Sequence, residues 1–192
     1  MVSKEPNQVL GPMFAALSKD GSRVLADLDL AADAKILDVG TGGGNFAIFL
    51  ALQGFQVLTG EPEADGSRYA RQDWAAKAQA VGVLEQIRFQ PFTAEALPFE
   101  TGSFDAVFFF GVLHHVEEAQ RGAVLQEALR VANSDGAVVV FEPTEDTLET
   151  LWASDPDHPP AALPSRYLAN PKIREERLKG SLMNAFIYRQ VA

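Results

Sequence analysis

The sequence predicts an α/β protein built on a doubly wound, mostly parallel sheet. Three observations predict it. Short apolar runs alternate with helical patterns five times along the chain, as parallel strands joined by helical crossovers require. Four glycines crowd into residues 40–44, directly between a strand pattern and a helix pattern. The marked polar residues, Asp38, Glu61 and the His114–His115 pair among them, fall at the carboxyl ends of expected strands, where open α/β sheets bind ligands.

A chain of 192 residues is long enough for one domain with a substantial core. We expect a single unit, with N-terminal helices over residues 1–30, a core over 35–143 and a variable C-terminal region over 144–192. Hydrophobic residues make up 47% and charged residues 22%, ordinary for a globular protein. The net charge of −10 repels a phosphate backbone, which argues against RNA or DNA as a partner. There is no cysteine, so disulfides, thiolate metal sites and thiol nucleophiles are excluded. Residues 1–12 lack the apolar core of a signal peptide. The longest apolar run, residues 106–113, is far short of the ~20 residues of a membrane span. A cytoplasmic location is the expectation.

In chain order, residues 13–30 carry a helical pattern (Met13, Phe14, Leu17, Val24, Leu25, Leu28) that Asp20-Gly21-Ser22 should split into two short helices. They should pack on the sheet or cover a pocket. Ile36, Leu37 and Val39 end a buried strand, with Asp38 at its last turn. After the glycines, Phe46, Ala47, Phe49, Leu50 and Ala51 give a helix an apolar face, and Gly54 ends it. Strand, glycine turn and helix together aim several backbone N–H groups at one concave spot. Residues 55–61 form a second strand ending on Glu61, 19 positions beyond Gly42. A carboxylate there can accept from two vicinal hydroxyls of a ribose. Residues 65–83 read as an Ala-rich helix with Tyr69, Trp74, Ala78 and Val81 on one side, and residues 87–92 as a third strand. Residues 103–116 hold a fourth strand, whose run 106–110 is apolar throughout, as a central parallel strand should be. Residues 119–131 are amphipathic, with Val124, Leu125, Ala128 and Leu129 inward, and Asn133, Asp135 and Gly136 stop that helix. Residues 137–141 form a fifth strand ending in Glu142-Pro143. Beyond it, residues 144–152 suggest a helix and the proline-rich 155–164 an irregular loop. Glu175 and Lys179 are spaced as a pair on a solvated helix. Residues 184–191 suit a closing strand.

Two ligand classes use such a glycine turn. A dinucleotide would need Gly42, Gly44 and Ala47 in register, which pushes the acidic Asp38 toward the phosphates. A ligand with an ammonium and hydroxyls, and no phosphate, accepts a carboxylate there. Asp38-Val-Gly40-Thr-Gly42-Gly-Gly44 resembles motif I of the class I S-adenosylmethionine-dependent methyltransferases. Residues 93–99, TAEALPF, are similar to that family's D-A-E-x-L-P-F loop, with Thr93 in the Asp position. Residues 103–107 and 113–115 resemble its S-F-D-x-V and L-H-H segments. The resemblance covers residues 35–143 and is to the small-molecule type, similar to the ubiquinone/menaquinone biosynthesis methyltransferase group.

The resemblance implies a Rossmann-like methyltransferase fold with S-adenosylmethionine as cofactor. It also implies transfer of a methyl group to a small-molecule acceptor by direct in-line displacement. Carried over residue by residue, donor contacts fall on Asp38, Gly40, Thr41, Gly42 and Gly44, then Glu61 and Pro62. Thr93, Ala94 and Glu95 follow at the adenine loop, and Phe110 and Gly111 at the methionine amino group. Thr93 has no charge, so its adenine contact should be weaker than an aspartate's. The family closes its sheet with a two-stranded hairpin; one closing strand is visible here, so the C-terminal part should be shortened or rebuilt. A homo-oligomer, with a second subunit covering the site, is compatible with this. His114 and His115 are the candidate bases, and an unperturbed histidine titrates near ~6.5, suited to the task. Trp152, Tyr167 and Phe14 are candidates to line an acceptor pocket. His158 lies among Asp155, Asp157 and prolines, a spacing that makes no ligand set, so no metal is expected. Two alternatives stand beside this reading: an NAD(P)-dependent oxidoreductase, and a non-catalytic S-adenosylmethionine-binding partner or regulatory protein.

Overall fold

The computed structural model describes residues 4–64, 66, 70, 72–168 and 170–191. The sheet has seven strands: β1 (Ile36–Val39), β2 (Val57–Gly60), β3 (Ile87–Phe89), β4 (Phe104–Phe110), β5 (Ala132–Pro143), β6 (Ile173–Leu178) and β7 (Met183–Gln190). Their order is β3-β2-β1-β4-β5-β7-β6. The first five run parallel, and β7 lies antiparallel between β5 and β6. The helices are α1 (Pro6–Leu10), α2 (Phe14–Leu28), α3 (Asn45–Leu52), α4 (Trp74–Val81), α5 (Arg121–Val131) and α6 (Glu145–Ser154).

Strand alternation sorts the core into two layers. Ile36, Ala106, Phe108, Val139, Phe141 and Ile187 face α1 to α4, and Leu37, Val39, Val107, Phe109, Val138 and Tyr188 face α5. Val107, Phe108 and Phe109 of β4 have no exposed surface, and each such side chain stabilises by about 1.5–3 kcal/mol on burial. The helix α3 has no polar face: Phe46 through Ala51 are buried in succession, so it is enclosed rather than amphipathic.

Three expectations are overturned. First, α2 is one helix. A Cβ on Gly21 would lie 2.5 Å from the ring of buried Phe49, so the missing side chain lets α2 close on α3 instead of breaking it. Asp20, also buried, turns to the far end of the chain, accepting from the N–H groups of Ser181, Leu182 and Met183 and from the Ser181 hydroxyl at 2.7–3.1 Å. Secondly, Glu175 is in a strand, not a helix. β6 and β7 form the antiparallel closing hairpin, so the sheet lacks no strand. The charges of β6 suit an edge strand, which must not invite further pairing. Glu175 accepts from the Tyr188 hydroxyl at 2.7 Å and pairs with Arg177. Thirdly, α4 begins only at Trp74, where Asp73 caps it by accepting from Ala76 N–H at 3.2 Å. Of the earlier part of that expected helix, Asp65, Ser67, Arg68, Tyr69 and Arg71 lie outside the described residues.

Candidate active site

A cavity of about 810 Å³ opens at the carboxyl ends of β1, β2 and β4. Its floor is the turn between β1 and α3. The Gly40 N–H continues the strand ladder to the Gly60 carbonyl at 2.8 Å, and the Gly44 N–H bonds to Thr41 O at 2.7 Å. Gly40 has φ +90°, and a Cβ there would come within 2.5 Å of Val112. Gly44, at φ +75°, caps α3; a Cβ on it would lie 2.5 Å from that of Trp74. Both positions therefore require glycine, for conformation and for space.

Of the residues expected at the donor site, Gly40, Thr41, Gly42, Glu61, Pro62, Ala94, Glu95, Phe110 and Gly111 line this one cavity. Glu61, 8% exposed, receives the Gly42 N–H on Oε2 at 2.8 Å, which ties the end of β2 to the middle of the turn. Three expected residues stand elsewhere. Asp38 is buried beneath the turn, where the Thr59 hydroxyl donates to it at 2.8 Å. Thr59 spends its one proton there, so in the 2.9 Å contact between the two hydroxyls it is Thr41 that donates. Burial, opposed by the Thr59 bond and reinforced by the Glu61 charge, pushes the Asp38 carboxyl up to about 7. Gly44 faces α4 instead of the cavity. Thr93 is exposed and joins Ala96 in an isolated bridge, so its side chain is not on the wall; Ala94 and Glu95 beside it are.

Sequence reasoning missed several wall residues. Met13 and Leu17 of α2 and Leu182 of the closing hairpin supply an apolar side. Asn45, the first residue of α3, also lines the cavity, and its buried Oδ1 has no partner among the described residues. An orphaned acceptor of that kind suits a ligand with N–H or O–H groups. Among the described residues the wall carries Glu61, Glu95 and Glu117 against Lys77, and the Lys77 ammonium donates to Gly43 O at 3.1 Å. This charge balance suits a cationic ligand and opposes a diphosphate. The antiparallel β7, inserted between β5 and β6, also departs from the 3-2-1-4-5-6 strand order of dinucleotide folds.

The expected acceptor aromatics are not on the wall. Phe14 is in the core, Tyr167 accepts from Arg121 at 2.9 Å, and Trp152 donates to His158 O at 2.8 Å. The two candidate bases separate. His115 is exposed and lines the cavity, whereas His114 is buried, with Nδ1 2.9 Å from Glu142 Oε2. His158 is not isolated among Asp155 and Asp157 either. Its ring stands 5.1 Å from that of His114 and 5.2 Å from that of His115, so all three histidines of the chain meet.

A family model of methyltransferase domains matches residues 37–140. The chain belongs to that family, in the class I S-adenosylmethionine-dependent group with its seven-stranded Rossmann-like sheet. It is 30% identical over 127 residues to the uncharacterized methyltransferase YcgJ of Bacillus subtilis, covering 66% of this chain and 47% of that one. It is 33% identical over 113 residues to the ubiquinone/menaquinone biosynthesis C-methyltransferase UbiE of Geotalea uraniireducens, covering 58% and 46%. The chain thus spans about half the length of the curated relatives it matches. In fold it is similar to geranyl diphosphate methyltransferase in complex with S-adenosylmethionine, with a TM-score of 0.66, 13% identity, and 97% and 90% of the two chains covered. No helix among the described residues is long and apolar enough to cross a membrane.

Proposed function

We propose that the protein transfers a methyl group from S-adenosylmethionine to a small-molecule acceptor by direct in-line displacement. The observation that carries this is the convergence of the Gly40–Gly42 backbone, the Glu61 carboxylate and the Phe110–Gly111 strand end on one acidic cavity. The donor, when bound, supplies an activated methyl on a positive sulfur that is also a good leaving group. Glu61 accepts from the ribose hydroxyls, and the backbone of the glycine turn and of Gly111 holds the amino-acid tail. Ala94 and Glu95 border the adenine through their backbone, without the Thr93 side chain. Catalysis then consists mainly of holding donor and acceptor in line. Met13, Leu17 and Leu182 give the acceptor an apolar wall, and His115 is the wall histidine placed to take a proton from it.

The test has two stages. Calorimetry compares S-adenosylmethionine, S-adenosylhomocysteine and NADH, with binding of the first two expected. Labelled methyl is then followed from the donor into metabolites of a cell extract. Transfer is expected, and Gly42→Val, which fills the turn, should abolish it. Tight donor binding with no labelled product at any protein concentration would overturn the catalytic reading.

A further inference from the structure

We propose that His114, His115 and His158 form a binding site for a divalent transition metal of the zinc class, with an exchangeable position on the cavity side. Each histidine offers one ring nitrogen, and the three nitrogens lie within 4.8 Å of one another. A tetrahedral ion with Zn–N bonds of ~2.0–2.1 Å places its ligand atoms about 3.3 Å apart, so the widest separation must close by roughly 1.5 Å, which side-chain rotation supplies.

Two of the rings are already set for ligation. The Nδ1 of His158 lies 2.9 Å from the carbonyl of Pro159, an acceptor only, so Nδ1 carries the proton and a neutral ring has its lone pair on Nε2. His114 Nδ1 stands against the carboxylate of Glu142 at 2.9 Å, which sets the same tautomer. A ligand histidine whose other nitrogen donates to a carboxylate or a carbonyl is the usual outer support of a metal centre. Glu142 is 1% exposed; its Oε2 also accepts from Ala162 N–H at 2.7 Å, and its Oε1 has no partner among the described residues. A carboxylate buried in this way costs free energy unless positive charge lies near. A dication relayed through His114 supplies that charge.

The backbone is held as firmly as the rings. Arg121, the first residue of α5, donates to His114 O at 3.2 Å and to Val116 O at 3.0 Å. On the other side, Trp152 donates to the His158 carbonyl, and the His158 N–H bonds to Asp155 O at 3.0 Å. Three histidines with an open fourth position are a ligand set used by catalytic zinc, and imidazole also suits copper, iron and nickel. His115 is both the exposed member and a wall residue, and His114 lies close to Gly111 of the same wall. The exchangeable position therefore faces the cavity. Resting on the methyl-transfer reading, that position takes a hydroxyl oxygen of the acceptor. With its ring nitrogen on the metal, His115 holds the hydroxyl through the ion and no longer takes its proton: the proton leaves to solvent, the oxygen bonds to the methyl carbon, and the carbon–sulfur bond breaks to give the methyl ether and S-adenosylhomocysteine.

The test uses tag-free full-length protein, stripped with a chelator and dialysed against Zn(II) or Co(II). Metal content is read by mass spectrometry, the site by the visible spectrum of the cobalt form. One equivalent per chain is expected, with at least tenfold weaker binding in His115→Ala and in His158→Ala. Adding acetohydroxamate, a small oxygen-donor probe, should change the cobalt spectrum. S-adenosylhomocysteine titration and thermal unfolding of each variant report the fold separately. No stoichiometric metal, or equal metal in both variants, overturns the site, and a cobalt spectrum blind to the probe overturns the open position. Failure of S-adenosylhomocysteine to bind would overturn the donor reading while leaving the metal result standing.

Discussion

Replacing Glu61 with alanine removes a carboxylate that holds the turn and, in the proposed function, also holds the donor. Its Oε2 accepts the Gly42 N–H at 2.8 Å, and the side chain is buried at the cavity wall. With the ribose on the same carboxylate, the substitution also deletes two charge-assisted hydrogen bonds of about 1.5–3 kcal/mol each. Their sum, about 3–6 kcal/mol, corresponds to a loss of affinity of roughly 10²- to 10⁴-fold. Glu61→Gln keeps an amide oxygen for Gly42 and loses only the charge, so its affinity should fall between. Calorimetric titration with S-adenosylhomocysteine gives the affinities, and thermal unfolding shows whether the turn itself has loosened. A Glu61→Ala protein that binds within about threefold of the parent would refute the ribose assignment, and with it the main argument for this site.

Asp20→Ala leaves three backbone N–H groups of the closing hairpin without an acceptor, a loss of about 3–5 kcal/mol in urea unfolding; a change below about 1 kcal/mol would mean that water replaces the carboxylate. Burial raises the Asp20 pKa, but the bonds from Met183, Ser181 and Leu182 outweigh it and hold the carboxyl below its ordinary 3.8. Its contribution is thus present above pH 3.8 and lost as pH falls through the lower folded value, so Asp20→Asn should flatten the acid limb of the stability profile. Asp38 has the opposite sign: its carboxyl is raised by burial, so its own contribution to stability is fully present below pH 3.8 and is lost as pH rises through about 7. Asp38→Asn should lose that fall, and an unchanged slope between pH 5 and 7 would count against it. Gly21→Ala gains up to ~1 kcal/mol of helix propensity but forces the Phe49 ring aside, a cost of about 1–3 kcal/mol. The net change should be destabilising, and a raised Tm would show that the ring yields freely.

What was legible in the sequence was what local pattern dictates. The apolar runs of β1, β4 and β5 could only be buried strands, and four glycines in five positions marked the turn and the cavity floor. What escaped depended on partners distant in sequence. Residues 173–178, IREERL, have the composition of an exposed helix, and they are a strand because β7 offers an edge to pair with. Asp20-Gly21 reads as a helix break until Phe49 and the Ser181–Met183 segment are set against it. Gly44 belongs to the motif, yet it clears space for Trp74, a neighbour that spacing cannot reveal. The histidine cluster joins residues 43 and 44 positions apart, and nothing periodic links them.

The grip of Asp20 on the closing hairpin also orders events during synthesis. Its partners lie 161–163 residues further on, and at ~5–20 residues per second the ribosome reaches them roughly ten to thirty seconds later. Until then α2 lacks its anchor, and the nascent chain has the glycine turn and Glu61 but not the Leu182 side of the cavity. A chain stalled short of the hairpin should be open to proteases at α2 and unable to retain the donor. Emergence of the closing hairpin from the ribosome, rather than formation of the central strands, is then the step at which a ligand first finds a closed site.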